Sequence, residues 1–247
     1  MSARYDACVL AGGRASRLGG QDKPGLRVSG RPLIESVAAA VADAGRLIVV
    51  GPDRPGLPHA IFRREDPPGG GPVPALRAGL PEVGAPWVAL LAADLPFLTA
   101  EHVSALLDAA DNNAAAPNGT DLDGADGSAM GGDVADREMA EGRAGAGAVL
   151  VDDGGREQWL AGVWRTEVLV RALAGYEGRS LHGLLAPLSP VKLHLAGEPW
   201  FDCDTVDDLR RARSGEPGPR AEARELSESR EDGENARRSR PRTRSES

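Results

Sequence analysis

The sequence predicts an α/β fold, a Rossmann-like three-layer sandwich in one domain with a mostly parallel central sheet, and three features carry that prediction. Short apolar runs without internal alternation, such as Ala7 to Leu10, Leu47 to Val50 and Trp87 to Ala92, read as strands buried on both faces. Segments with helical spacing of apolar residues separate them, as expected of crossover connections. Glycine and aspartate come one alanine after two of the runs, at Gly12-Gly13 and Asp94, where parallel sheets bind ligands.

In chain order, Ala7 to Leu10 enters a glycine turn, and Pro32 to Ala44 carries Leu33, Ile34, Val37 and Val41 at helical spacing with proline near its first turn. Leu47 to Val50 is a second strand, stopped by Gly51-Pro52, and Ala60 to Phe62 is a weaker one. A Pro/Gly loop from Pro67 to Pro72 leads to a helix from Val73 to Leu80. After the strand Trp87 to Ala92, Thr99 caps a helix running to Ala110. Strands at Ala148 to Val151 and Trp159 to Trp164 flank a turn at Asp152 to Gly155. Helices at Thr166 to Ala174 and Ser180 to Leu185, a strand at Val191 to Leu195 and a helix from Thr205 to Arg213 complete the domain, residues 1–213.

Two segments stand apart by composition. Asp111 to Gly147 contains eight acids, two arginines and almost no large apolar residue, so it cannot repay the entropy of ordering and reads as a low-complexity insertion. Residues 214–247 hold eight acids, eight arginines and one large aliphatic residue, Leu226, and read as a disordered charged tail.

The insertion carries six of the eight formal negative charges, which leaves no basic footprint for nucleic acid. No apolar run approaches the roughly 18 residues of a membrane span. The two cysteines, Cys8 and Cys203, have no partner at metal spacing, and no apolar leader precedes the first strand. A cytoplasmic protein with reduced thiols is the expectation.

Leu10-Ala11-Gly12-Gly13-Arg14-Ala15-Ser16-Arg17-Leu18-Gly19-Gly20-Gln21-Asp22-Lys23-Pro24 packs four glycines and three cations into one connection. Glycines let backbone N–H groups converge on phosphate oxygens, and cations offset the phosphate charge. Pro24 after the lysine and the glycine spacing exclude a Walker A motif and the G-x-G-x-x-G dinucleotide fingerprint. In so glycine-rich a chain the glycines alone also fit an ordinary flexible loop. Lys23 tips the balance, because it is one of only two lysines beside 27 arginines.

The pattern L-A-G-G-x-x-x-R-L-G-x-x-K-P resembles the signature of the nucleoside-triphosphate transferases, especially the molybdenum cofactor guanylyltransferases, from about Tyr5 to Arg213. The resemblance implies the nucleotide-diphospho-sugar transferase fold and a nucleotide site at Leu10, Ala11, Gly12, Gly13, Lys23, Asp66 and Asp94. Arg17, Lys23 and Asp94 are implied as catalytic.

Ala92-Ala93-Asp94-Leu95-Pro96-Phe97 matches the family's A-x-D-x-P-F/L signature, which makes Asp94 the principal ligand of Mg²⁺, a cation that takes oxygen donors and bridges to phosphates. Phe201-Asp202-Cys203-Asp204-Thr205 resembles the closing motif, with aspartates where asparagines are usual. Asp204 is expected to cap the last helix and to supply the second metal carboxylate, with Asp202 as the alternative ligand.

The segment Arg64 to Leu80 resembles G-P-L-x-x-L-x-x-G-L, which lies near the nucleobase. Guanine offers N1–H and N2–H₂ as donors, so Asp66 is its expected partner, or else a solvated residue before a proline turn. Asp152 to Trp164 is similar to the acceptor segment, where Arg156 would meet a phosphate and Gln158 a pterin edge, or else they belong to a plain hairpin.

The implied reaction transfers GMP from GTP to the phosphate of molybdopterin and releases pyrophosphate. Transient contact with cofactor-handling proteins is also implied. Cytidylyl or other nucleotidyl transfer to molybdopterin, a sugar phosphate or another small phosphate is the enzymatic alternative. A nucleotide-binding adaptor without catalysis is the alternative of a different class.

Overall fold

The computed structural model describes residues 4–12, 22–115 and 145–214. Its centre is a seven-stranded sheet of β1 (Tyr5–Leu10), β4 (Leu47–Val50), β5 (Ile61–Arg63), β6 (Trp87–Ala92), β7 (Gly147–Val151), β8 (Glu157–Arg165) and β9 (Val191–Leu193). The order is β5-β4-β1-β6-β8-β7-β9. β1 runs parallel to β4 and β6, β4 to β5, and β7 to β9, while β8 alone is antiparallel to its neighbours β6 and β7. The carboxyl ends of every strand except β8 therefore share one edge.

The apolar runs are buried because both faces are covered, and successive side chains alternate between two cores. Ala7 and Val9 of β1 pack with Ile34 and Val37 of α1 (Leu33–Ala40) and Leu106 and Ala110 of α3 (Ala100–Ala115). Cys8 and Leu10 face the other way, against Val73 and Leu76 of α2 (Pro72–Gly79), Leu169 of α4 (Thr166–Ala174) and Leu185 of α5 (Leu181–Leu185).

A third, smaller cluster joins Val28 and Leu33 to Cys203, with Leu209 and Ala212 of α6 (Val206–Ser214). Val28 belongs to a hairpin that sequence patterning did not anticipate, β2 (Arg27–Val28) with β3 (Arg31–Pro32). Its two-residue loop places Ser29 at φ 51° and Gly30 at φ 81°, the left-handed pair that a tight hairpin demands.

Several element ends shift by one or two residues, and two helix ends move further. The first helix stops at Ala40, four residues early, and α3 runs to Ala115, into the segment assigned to the insertion. The backbone of α3 continues past Ala110 because Arg4 binds both Asp108, at 3.0 Å, and Asp111, tying that turn to the start of β1. The remainder of the expected insertion, 116–144, and of the tail, 215–247, lie outside the described residues. Among the described residues no helix is long and apolar enough to cross a membrane.

Candidate active site

A cleft of about 920 Å³ opens at the carboxyl edge of the sheet. Its floor is Leu10 and Gly12, at the end of β1. The Ala92-Ala93-Asp94 end of β6 forms one flank, the loop after β5 with Pro72 and Ala75 of α2 forms another, and Leu160 of β8 closes a wall. Leu160 is available because the β7–β8 register shifts at Val149/Leu150, which leaves residues 159–161 opposite no residue of β7.

Four charged side chains converge on one side of this cleft. Asp94 is held by the extension of β1–β6 pairing, in which the Ala93 N–H donates to the Leu10 carbonyl at 3.2 Å, and by the buried Leu95 and Leu98 that come after it. Lys23 begins a single 3₁₀ turn, Lys23–Gly25, closed by Leu26 N–H on the Lys23 carbonyl at 3.1 Å and anchored by buried Pro24. Asp22 steadies the turn through a two-pronged pair with Arg54, both contacts at 2.6 Å.

Asp202 and Asp204 flank Cys203, which is fully buried in the third cluster. Cys203 is turned into that cluster, while Asp202 and Asp204 on either side of it line the cleft. The Lys23 ammonium pairs with Asp94 and, at 2.5 Å, with Asp204 Oδ1.

Asp204 does not cap α6. Thr205 is the cap: its Oγ1 accepts the Asp208 N–H at 3.1 Å, and the Asp208 carboxylate accepts the Thr205 N–H at 2.7 Å. This reciprocal pair satisfies the first turn one residue later than expected and leaves the Asp204 carboxylate to the cluster.

The electrostatics suit a divalent cation. Ligand oxygens of Asp94, Asp202 and Asp204 lie within 4.8 Å of one another, an all-oxygen set of the kind Mg²⁺ takes. Burial, then the charges of Asp204 and Asp94, push the Asp202 carboxyl up to about 6, although the residue as a whole is exposed. Crowded like charges of this sort are relieved by a bound cation. Burial works to lower the Lys23 pKa, but the Asp94 and Asp204 carboxylates outweigh it and the ammonium is held above its ordinary value.

The remaining expected residues are distributed unevenly. Ala11 is buried beside Gly51 and does not line the cleft. Gly13 and Arg17 lie outside the described residues. Asp66 is exposed and absent from the cleft wall, where its neighbour Glu65 stands instead. Glu65 was not among the residues expected from sequence, because the two adjacent acids carry the same chemistry and differ only in the side to which the fold turns them.

Arg156 lines a separate cleft of about 350 Å³ with Asp152, Asp153, Gly154 and Trp200, on the same edge of the sheet. Gln158 is engaged in the hairpin, where Nε2 donates to Asp152 Oδ2 at 3.2 Å. Asp152 Oδ1 also accepts the Gly154 and Arg156 N–H groups, at 2.8 and 3.0 Å.

The chain is 40% identical over 102 residues to the "Probable molybdenum cofactor guanylyltransferase" of Synechococcus elongatus, covering 38% of this chain and 52% of that protein. It is 30% identical over 120 residues to the molybdenum cofactor guanylyltransferase of Shewanella amazonensis, covering 47% and 61%. The chain thus spans little more than half the length of these curated relatives. Among solved structures, molybdopterin-guanine dinucleotide biosynthesis protein A of Archaeoglobus fulgidus shares the fold with a TM-score of 0.56 at 19% identity, over 85% of this chain and 97% of that one. Residues 7–191, which include the cleft floor, Lys23 and Asp94, match the family described as the MobA-like NTP transferase domain, and the chain belongs to that family.

Proposed function

We propose that this protein is a Mg²⁺-dependent nucleotidyltransferase that transfers GMP from GTP to the phosphate of a molybdopterin-type cofactor, with release of pyrophosphate. The observation that carries the reading is the meeting of Lys23 with Asp94, Asp202 and Asp204 beside Gly12 in one cleft. The guanine and molybdopterin assignments draw on the names of the curated relatives.

Asp94 with Asp204 and Asp202 would hold the metal, which when bound supplies a positive charge against the triphosphate oxygens. Lys23 adds a mobile point charge where the carboxylates meet the glycine loop. Gly12, on the cleft floor, would offer bare backbone to the nucleotide. The acceptor's phosphate has a second pKa of about 6 and is already anionic near neutral pH, so its oxygen attacks the α-phosphorus without a general base. Catalysis then reduces to alignment and charge neutralisation. Arg156, which lines the neighbouring cleft, would meet the acceptor phosphate.

Pyrophosphate release, measured with each of the four nucleoside triphosphates, Mg²⁺ and molybdopterin, tests this. GTP is expected to be preferred, and Asp94→Ala to lower turnover by at least about 10³-fold in folded protein. Preference for CTP would move the assignment to cytidylyl transfer. GTP binding with no release under any condition would make the chain a nucleotide-binding adaptor.

A further inference from the structure

We infer that Arg54 is a positioning residue for Lys23: from the loop after β4 it holds the backbone from which the Lys23 ammonium reaches a triphosphate. This role rests on the proposed binding of a nucleoside triphosphate, and it belongs to a pair outside the cleft wall, which neither Asp22 nor Arg54 lines. The end of β4 and the loop behind it touch both described ends of the glycine connection. At one end the Ala11 N–H donates to the Val50 carbonyl at 2.9 Å, and a Cβ on Gly51 would stand 3.0 Å from the Ala11 carbonyl oxygen. At the other end the Arg54 guanidinium grips Asp22, the residue before Lys23, with two contacts of 2.6 Å.

Asp22 stands at the N-cap of the Lys23–Gly25 turn, yet its side chain makes no capping bond, and both carboxylate oxygens go to Arg54. The hydrogen bonds from Arg54 hold the Asp22 carboxyl below its ordinary value, against the opposing effect of burial. A two-pronged arginine–carboxylate pair fixes orientation as well as distance. Arg54 is itself anchored: its side chain is 13% exposed against 59% for Asp22, and its carbonyl accepts the N–H of Leu57, a core residue, at 3.0 Å. The pair lies directly over the turn, since a Cβ on Gly25 would run into the Asp22 carboxylate and stand 3.4 Å from an Arg54 nitrogen. The Lys23 side chain is flexible, so where its ammonium dwells depends on where its backbone is pinned. That backbone is set between the Arg54 pair on one side and buried Pro24 on the other.

The test is equilibrium binding of each of the four nucleoside triphosphates and its monophosphate to the full chain with Mg²⁺. The wild-type chain is expected to bind its preferred triphosphate more tightly than the matching monophosphate. Arg54→Met should reduce that ratio at least about tenfold, the scale of one hydrogen bond to a charged group, and leave monophosphate affinity unchanged. Asp22→Ala, on the exposed side of the pair, should act in the same direction and carries the test if Arg54→Met does not fold. The double variant should be no worse than the more damaging single one, because both remove the same brace. A ratio kept by the folded variants overturns the role of Arg54 while the triphosphate reading stands. Equal weakening of triphosphate and monophosphate, the mark of a merely structural pair, overturns it too, as do losses that add in the double variant. A wild-type chain that binds no triphosphate better than its monophosphate overturns both.

Discussion

At the scale of single residues the site is governed by competition for three carboxylates. Lys23 supplies a cation to Asp94 and Asp204, and Mg²⁺ would seek the same oxygens. Lys23→Met is therefore expected to abolish turnover yet tighten Mg²⁺ binding in the absence of nucleotide by about tenfold, since removing a nearby like charge favours the second cation. Titration calorimetry with Mg²⁺ alone reads this, and weaker binding would show that Lys23 organises the cluster and does not compete for it. Lys23 and Asp94 were legible in the sequence because each carries a strong local signal: the rare lysine after a glycine loop, and an aspartate at a strand end. The choice between Glu65 and Asp66 was not, because neighbouring residues of like charge differ only in the face on which the backbone sets them.

At the scale of elements, α2 joins the cleft to the core. Its N-terminal turn lines the cleft through Pro72 and Ala75, and its last residue, Gly79, lies flat on the sheet. A Cβ at Gly79 would stand 2.7 Å from a methyl of Val50 and 2.8 Å from the Cys8 sulfur, both in a buried core with no room to yield. Gly79→Ala should therefore destabilise the fold by about 1–3 kcal/mol through overpacking. Urea denaturation measures it, and an unchanged midpoint would mean that α2 can shift at little cost. Most elements were readable from apolar periodicity, including β6 and α4 at their full lengths. The β2–β3 hairpin was missed because two-residue strands carry no periodic signal, and the Thr205 cap was missed by one position because Asp204 and Thr205 are both good caps.

At the scale of the whole molecule, the third cluster connects parts of the chain distant in sequence. Val28 and Leu33, shortly after Lys23, pack with Cys203, Leu209 and Ala212, so one small core sets the separation of Lys23 from Asp202 and Asp204. Arg213 adds a bond from Nε to the Arg27 carbonyl at 2.9 Å. Leu209 is buried and lies outside the cleft wall. Leu209→Ala should cost about 2–4 kcal/mol of stability and weaken Mg²⁺ binding at least threefold, although no ligand is touched. Mg²⁺ affinity unchanged in the folded variant would show that the aspartates hold their positions without α6.

The sequence by itself determined the α/β class, the strand that ends at Gly12, the strand that ends at Asp94 and the prominence of Lys23. These are local properties, written in runs of apolar residues and in the glycine, aspartate or lysine next to them along the chain. The tertiary structure decided the rest: that Asp202 and Asp204 both join Asp94, that Thr205 and not Asp204 caps α6, and that Glu65 and not Asp66 enters the cleft. Asp202 and Asp204 reach the cluster because Cys203 between them is buried against Val28 and Leu33 from the other end of the chain, and a one-dimensional pattern does not carry that information.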